Sequence, residues 1–177
     1  MATTEAEQQP QSLRERFEDG ETRRRALEAA WDSNSAAFQQ NLAAAIASYE
    51  ECLRLADRVA LFSPNETLDD IASGDLQYLL LHYHVAELVL RVNQQQERKA
   101  VLARAQDHYA RFLKLLDSYD VLSGTDSGLF ERYQESPQAF STASTSDPSA
   151  RRETKIARFR QEKELKQKLE VSGCLVF

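Results

Sequence analysis

Three histidines, two cysteines and one adjacent pair of aspartates are the residues of this 177-residue chain that could do catalytic or metal chemistry. His82 and His84 stand two apart. On a helix that spacing turns them about 200° from one another, so they cannot share a metal ion. His108 falls on a different helix with no carboxylate or thiol set beside it, and the histidines read as core-lining or half-exposed side chains. Asp69 and Asp70 diverge for the same reason, and acidic residues suit the first turn of a helix, where the dipole favours them. Cys52 lies on an apolar helical face, where a free thiol behaves as a small hydrophobe; a reactive thiol needs a cationic, partly open setting. No CxxC, glycine-rich phosphate loop, nucleophile elbow or zinc-ligand spacing is present. The chain reads as a non-enzyme with no cofactor and no metal.

The chemistry that remains is charge. Residues 1–150 carry 14 Lys and Arg against 24 Asp and Glu, a net of −10, whereas residues 151–169 carry eight basic and three acidic side chains, a net of +5. At about 100° per residue, Arg158, Arg151, Lys155, Lys166, Arg152 and Lys163 fall within an arc of about 140°. Phe159 and Ile156 lie in or beside that arc, and Glu153 and Glu164 lie across from it. Arg151 and Arg152 also sit near the start of the helix, where its dipole disfavours cations by a few tenths of a kcal/mol, on the order of what a surface charge gains there. A stripe that works against its own helix suggests an acidic partner. An ordinary solvated face fits the same arc equally well on residues alone. Nucleic acid fits less well, because the rest of the chain is acidic and aromatic interleaving is missing.

The elements that must position this arc are helical. Ala, Leu, Glu, Gln and Arg are abundant, glycines and prolines are few, and continuous β-branched runs are missing. Leu13, Phe17, Leu27 and Trp31 mark a first helix, weakened in the middle by Gly20 and by Arg23-Arg24-Arg25. That arginine run reads as a solvated face with Glu18, Glu21 and Glu28 in reach. Phe38, Leu42, Ala45, Ile46, Tyr49, Cys52, Leu53, Ala56, Val59 and Ala60 keep a 3-4 spacing, predicting a helix that ends at Phe62. Ser63 then caps a short helix, with Pro64 at its first position and Glu66 three residues on; it runs from Glu66 to Ala72 and stops at Gly74. Asp75 caps the next. Leu76 to Val92 is apolar nearly all round, which predicts the central helix of a bundle. Leu102, Ala105, Tyr109, Phe112, Leu113, Leu116 and Tyr119 mark another. After a break at Ser123-Gly124-Thr125-Asp126, Leu129 to Tyr133 forms one further turn, and Asp147-Pro148 opens the last helix. No 34-residue self-repeat is present, so helix pairs rather than a true repeat array are expected.

The segment Leu61-Phe62-Ser63-Pro64-Asn65-Glu66-Thr67-Leu68-Asp69-Asp70-Ile71, followed by Leu76-Gln77-Tyr78-Leu79, resembles the signature of the type 2A phosphatase-associated proteins of the TOR pathway. In animals this family is called immunoglobulin-binding protein one. Phe130-Glu131-Arg132-Tyr133 is similar to the family's motif before its variable loop. Arg152-Glu153-Thr154-Lys155-Ile156-Ala157-Arg158-Phe159, with Lys163-Glu164, resembles its basic helix. The resemblance covers roughly residues 36–169. It implies an all-α, tetratricopeptide-like array of antiparallel helices with a basic C-terminal helix, acting as a chaperone-like regulator of protein phosphatase 2A-type catalytic subunits. It further implies that Arg152 and Lys155 are central to that contact; Arg151, Arg158 and Lys163 are auxiliary on charge and geometry. Another acidic protein or peptide is the alternative partner.

The expected organisation is a disordered N-terminus (1–10), a helical scaffold (11–133), a flexible loop (134–147), the basic helix (148–170) and a tail outside the family pattern (171–177). Family chains continue into an acidic C-terminal region, and this one departs near Glu170. Cys174-Leu175-Val176-Phe177 has the form of a prenylation box, a match too short to carry lipidation. With no signal peptide and no apolar run of about 18 residues, the expectation is a monomeric, cytoplasmic protein, also nuclear, that binds neither membrane nor nucleic acid.

Overall fold

A computed structural model describes residues 12–63, 65–94, 96–142 and 147–174, with side chains through Leu169. Residues 1–10, Pro64, residues 143–146 of the expected loop and the last three residues of the Cys174 tetrapeptide lie outside the described residues. These hold six α-helices and no strand: α1 (Leu13–Ala29), α2 (Ala36–Arg58), α3 (Leu81–Leu90), α4 (Arg98–Ser118), α5 (Gly124–Glu135) and α6 (Pro148–Cys174). None is long and apolar enough to cross a membrane. The chain divides into two compact units, Met1–Ser123 and Gly124–Phe177.

In the first unit, each helix packs antiparallel on the next. Leu13 lies beside Cys52, Asp19 beside Ser48, and Arg23 beside Asn41, so α1 and α2 run in opposite directions. Gln39 meets the Arg91 carbonyl while Tyr49 stacks on His84, which sets α3 against α2. Arg98 reaches the Leu90 carbonyl while Tyr83 contacts Phe112, which turns α4 back along α3. The fold is therefore an all-α array of antiparallel helices. Its core is centred on Leu27, Leu42, Tyr49, Cys52, Leu81, Val85 and Leu88, all buried. Removing a side chain such as Leu42 from water stabilises the fold by about 1.5–3 kcal/mol.

Local chemistry sets the helix ends. Ser12 and Glu15 form a reciprocal capping box at the start of α1, and Ser35 accepts the Phe38 amide at the start of α2. Both arrangements satisfy amide groups that the first turn leaves without partners. The helix predicted to end at Phe62 stops at Arg58. Ala60 has a φ of 49°, and the Leu61 amide reaches back to the Ala56 carbonyl at 3.0 Å. This is a Schellman ending that needs a left-handed residue. α4 ends in the same way, with Asp120 at a φ of 54° and the Val121 amide on the Leu116 carbonyl at 2.9 Å.

Five further expectations are corrected. Ser63 opens a turn rather than a helix: the helical residues are only Leu68–Asp70, where Thr67 and Asp70 cap one another. The single helix expected over Leu76–Val92 is a 3-10 turn, Leu76–Leu80, leading into α3, and the Asp75 side chain caps nothing. Leu76 and Leu80, at the two ends of that turn, stay partly in solvent, while Tyr78 and Leu79 between them are buried. Trp31 lies beyond the end of α1 and is 96% exposed, and Leu102 is exposed while Val101 and Ala105 face the core.

The arginine run is only in part a solvated face. Arg24 forks onto Glu21 at 2.7 Å and reaches Glu28 at 2.5 Å, and the Tyr49 hydroxyl donates to Glu21 at 2.6 Å. Burial opposes the charge on Glu21, but Arg24 and Tyr49 outweigh it and hold the carboxyl at about 2. Arg23 turns instead to Asp19.

In the second unit, α5 is longer than the single turn expected. Phe130 is buried against Tyr133, and Tyr133 meets Phe140 edge-on at 5.5 Å.

Candidate protein-binding site

The start of α6 is built by Asp147 and Pro148. The Asp147 carboxylate accepts the Ser149 amide at 2.8 Å and its carbonyl accepts the Arg151 amide at 3.1 Å. Proline at the first helical position loses no hydrogen bond there. From Arg151 to Leu169 every described side chain except Thr154 is exposed, and the Thr154 hydroxyl bonds back to the Ala150 carbonyl at 2.8 Å. α6 thus offers its charges to solvent along more than four turns.

The cations of the arc differ in how they are satisfied. Arg158 donates to the Thr142 hydroxyl at 2.9 Å, so its guanidinium is tied to the segment before the helix. Lys166 pairs with Glu162 at 2.7 Å. Glu162 lies inside the arc, so the arc is not purely basic, and Lys166 is neutralised locally. Arg151 stands exposed in the first turn. Arg152, Lys155 and Lys163 have neither an ion pair nor a hydrogen bond from their side chains among the described residues. Arg152 and Lys155 are three apart and therefore neighbours on one face, with Cβ atoms about 5–6 Å apart. A planar, forked guanidinium beside a compact ammonium suits a pair of carboxylates on one surface.

A second feature lies in the first unit. α2, α3 and α4 enclose a cleft of about 750 Å³ whose lining includes Leu53, Phe62, Leu81, Leu115, His82 and His108. His82 and His108, which sequence spacing set apart, meet there with their Nδ1 atoms 3.0 Å apart. One imidazole donates and the other accepts, so the two rings cannot both be cations while the bond holds. Burial, with the neighbouring His108, pushes His82 down to about 4. His84 points elsewhere, stacked on Tyr49 with its Nε2 3.7 Å from Glu21. Among the described residues no group of three or more His, Cys, Asp or Glu could hold a metal ion.

The remaining reactive candidates are structural. Burial pushes the Cys52 thiol up to about 12, and its Sγ faces the Leu13 carbonyl. Asp70 is held below the usual carboxylate range by the Thr67 amide and hydroxyl. Sequence reasoning missed the His82–His108 contact and the Glu21–Tyr49 bond because each joins different helices. It also missed Glu162, which the same 100° rule places in the arc.

A family model described as the TAP42-like family matches residues 13–173, a longer stretch than the resemblance over 36–169. The PP2A regulatory subunit TAP46 of Oryza sativa subsp. japonica is 30% identical over 137 residues, which cover 77% of this chain and 30% of that protein. The type 2A phosphatase-associated protein 42 of Saccharomyces cerevisiae is 32% identical over 130 residues, covering 64% of this chain and 36% of that protein. Immunoglobulin-binding protein 1 family member C of Homo sapiens is 28% identical over 129 residues, covering 68% and 36%. The chain spans about a third of the length of these relatives.

Proposed function

The chain belongs to the TAP42-like family, and on that premise we propose that it is a non-catalytic, chaperone-like adaptor that binds protein phosphatase 2A-type catalytic subunits. It acts in TOR signalling, in the cytoplasm and nucleus, and uses the basic face of α6 for the contact. The observation that carries this reading is that Arg152 and Lys155 stand exposed on one face with no counterion among the described residues. The printed names of the rice and yeast relatives, a PP2A regulatory subunit and a type 2A phosphatase-associated protein, support the choice of partner.

Charge of this kind acts first on encounter and orientation. Exposed cations steer an acidic partner into place, and added salt screens them beyond about 8–10 Å. Arg152 and Lys155 supply the central contact, with Arg151 and Lys163 beside them. Arg158 contributes less, because its guanidinium is engaged by Thr142.

Calorimetry with purified protein phosphatase 2A catalytic subunit, at two salt concentrations, tests the reading. Wild type binds, more weakly at high salt, and the double reversal Arg152→Glu with Lys155→Glu does not bind while keeping its circular dichroism spectrum. Equal binding by both refutes the site. If wild type fails to bind the phosphatase but retains another acidic protein, the chain is a helical scaffold for that partner instead.

A further inference from the structure

We infer that Phe159 is the apolar anchor of this basic face, and that the acidic partner offers it an apolar recess rimmed by carboxylates; the inference rests on the reading of α6 given above. Phe159 is 67% exposed. Among the described residues its ring makes no aromatic or cation–π contact, whereas Phe17, Phe62, Phe112, Phe130 and Phe140 each meet another ring and Phe38 lies beneath Arg91.

Its position on the helix separates it from a chance exposed phenylalanine, which by itself needs no explanation. Phe159 lies about 20° from Arg152 around the helix axis, one turn after Lys155 and one turn before Lys163. Ile156, 40% exposed, lies about 40° to the other side of Arg152. The ring is therefore framed by the three cations that have no counterion among the described residues. Protein interfaces are commonly built this way, with an aromatic residue filling a pocket at the centre and charges at a wetter rim. The cations set approach and register, and the ring holds the complex once it is formed.

The two contributions separate experimentally, because screening acts on the charges and leaves apolar burial nearly unchanged. The test compares wild type, Phe159→Ala, Phe159→Leu and the Arg152→Glu/Lys155→Glu double variant. Each full chain is titrated with purified phosphatase 2A catalytic subunit at two salt concentrations, and its fold is checked by circular dichroism. Phe159→Ala is expected to bind about 10- to 100-fold more weakly than wild type. Its salt dependence stays that of the wild type, and Phe159→Leu recovers most of the loss. Equal affinities of Phe159→Ala and wild type overturn the anchor and leave the basic face standing. A Phe159→Ala effect that disappears at high salt also overturns it, since the residue would then act only through the neighbouring charges. No binding by wild type overturns the reading of α6, and the anchor with it.

Discussion

The hydroxyl of Tyr119 accepts a hydrogen bond from the Ser63 amide at 3.0 Å and donates one to the Ser63 carbonyl at 3.1 Å. One side chain at the end of α4 thereby takes both polar groups of a residue in the long connection that follows α2. Phe62 packs edge-on against the same ring at 6.1 Å. This tie holds the turn that carries the family-like Ser63 segment to the scaffold.

Tyr119→Phe keeps the ring and removes both bonds. The Ser63 amide and carbonyl are left half-buried without this partner, at a cost of about 1–3 kcal/mol. Urea unfolding should show that loss. Hydrogen exchange should show faster exchange at the Ser63 amide, and unchanged exchange there would mean that the turn is held by other contacts.

Two glycines on helices respond in opposite directions to alanine. A Cβ on Gly20 would come within 3.0 Å of the Tyr49 ring, whereas one on Gly128 would meet nothing within 4 Å. The Tyr49 ring is buried, stacked on His84 and tied to Glu21, so it cannot step aside freely. Gly20→Ala should destabilise by about 1–3 kcal/mol from overpacking, outweighing a helix-propensity gain of about 1 kcal/mol. Gly128→Ala should stabilise by about 0.5–1 kcal/mol for the propensity reason alone. Thermal melts of the two variants check the contrast.

Both Schellman endings place a residue with a side chain in the left-handed region. Ala60→Gly and Asp120→Gly relieve that strain and should each raise stability by about 1 kcal/mol. If either lowers the urea midpoint, the entropy glycine adds to the unfolded chain exceeds the strain it removes.

Acid should act in two windows. Folded His82 resists protonation down to about 4, whereas an unfolded histidine takes a proton near 6.5. As pH falls between these values the unfolded state binds more protons, and stability declines. Glu21 follows at lower pH: its folded value of about 2 lies below the ordinary 4.5. Its contribution, roughly 1–3 kcal/mol, is complete above about pH 4.5 and is lost as pH falls towards 2. Urea midpoints measured from pH 7 to pH 2 should show both declines. Glu21→Gln should shrink the lower decline, and His82→Asn the upper, where buried His84 and His108 also resist protonation.

The sequence by itself determined what depends on neighbours within one helical turn. The 3-4 spacing from Phe38 to Ala56 places α2 and its buried face, and Asp147-Pro148 places the start of α6. The rule of about 100° per residue brings Arg152, Lys155, Phe159 and Lys163 together because a helix fixes relative angle without help from the rest of the chain. Only the tertiary structure decided what depends on which helix lies opposite. Gly20 reads as a weakness in α1 until Tyr49, from α2, is found against it. His82 and His108 carry no local signal of each other, yet antiparallel packing of α3 and α4 sets them 3.0 Å apart. The run Leu76–Val92 is apolar enough for one helix, but backbone bonding divides it into a 3-10 turn and α3. Periodicity records how much of a helix is buried; the geometry of its neighbours selects which atoms meet there, and that choice is made across 26 residues for His82 and His108 and across 56 for Ser63 and Tyr119.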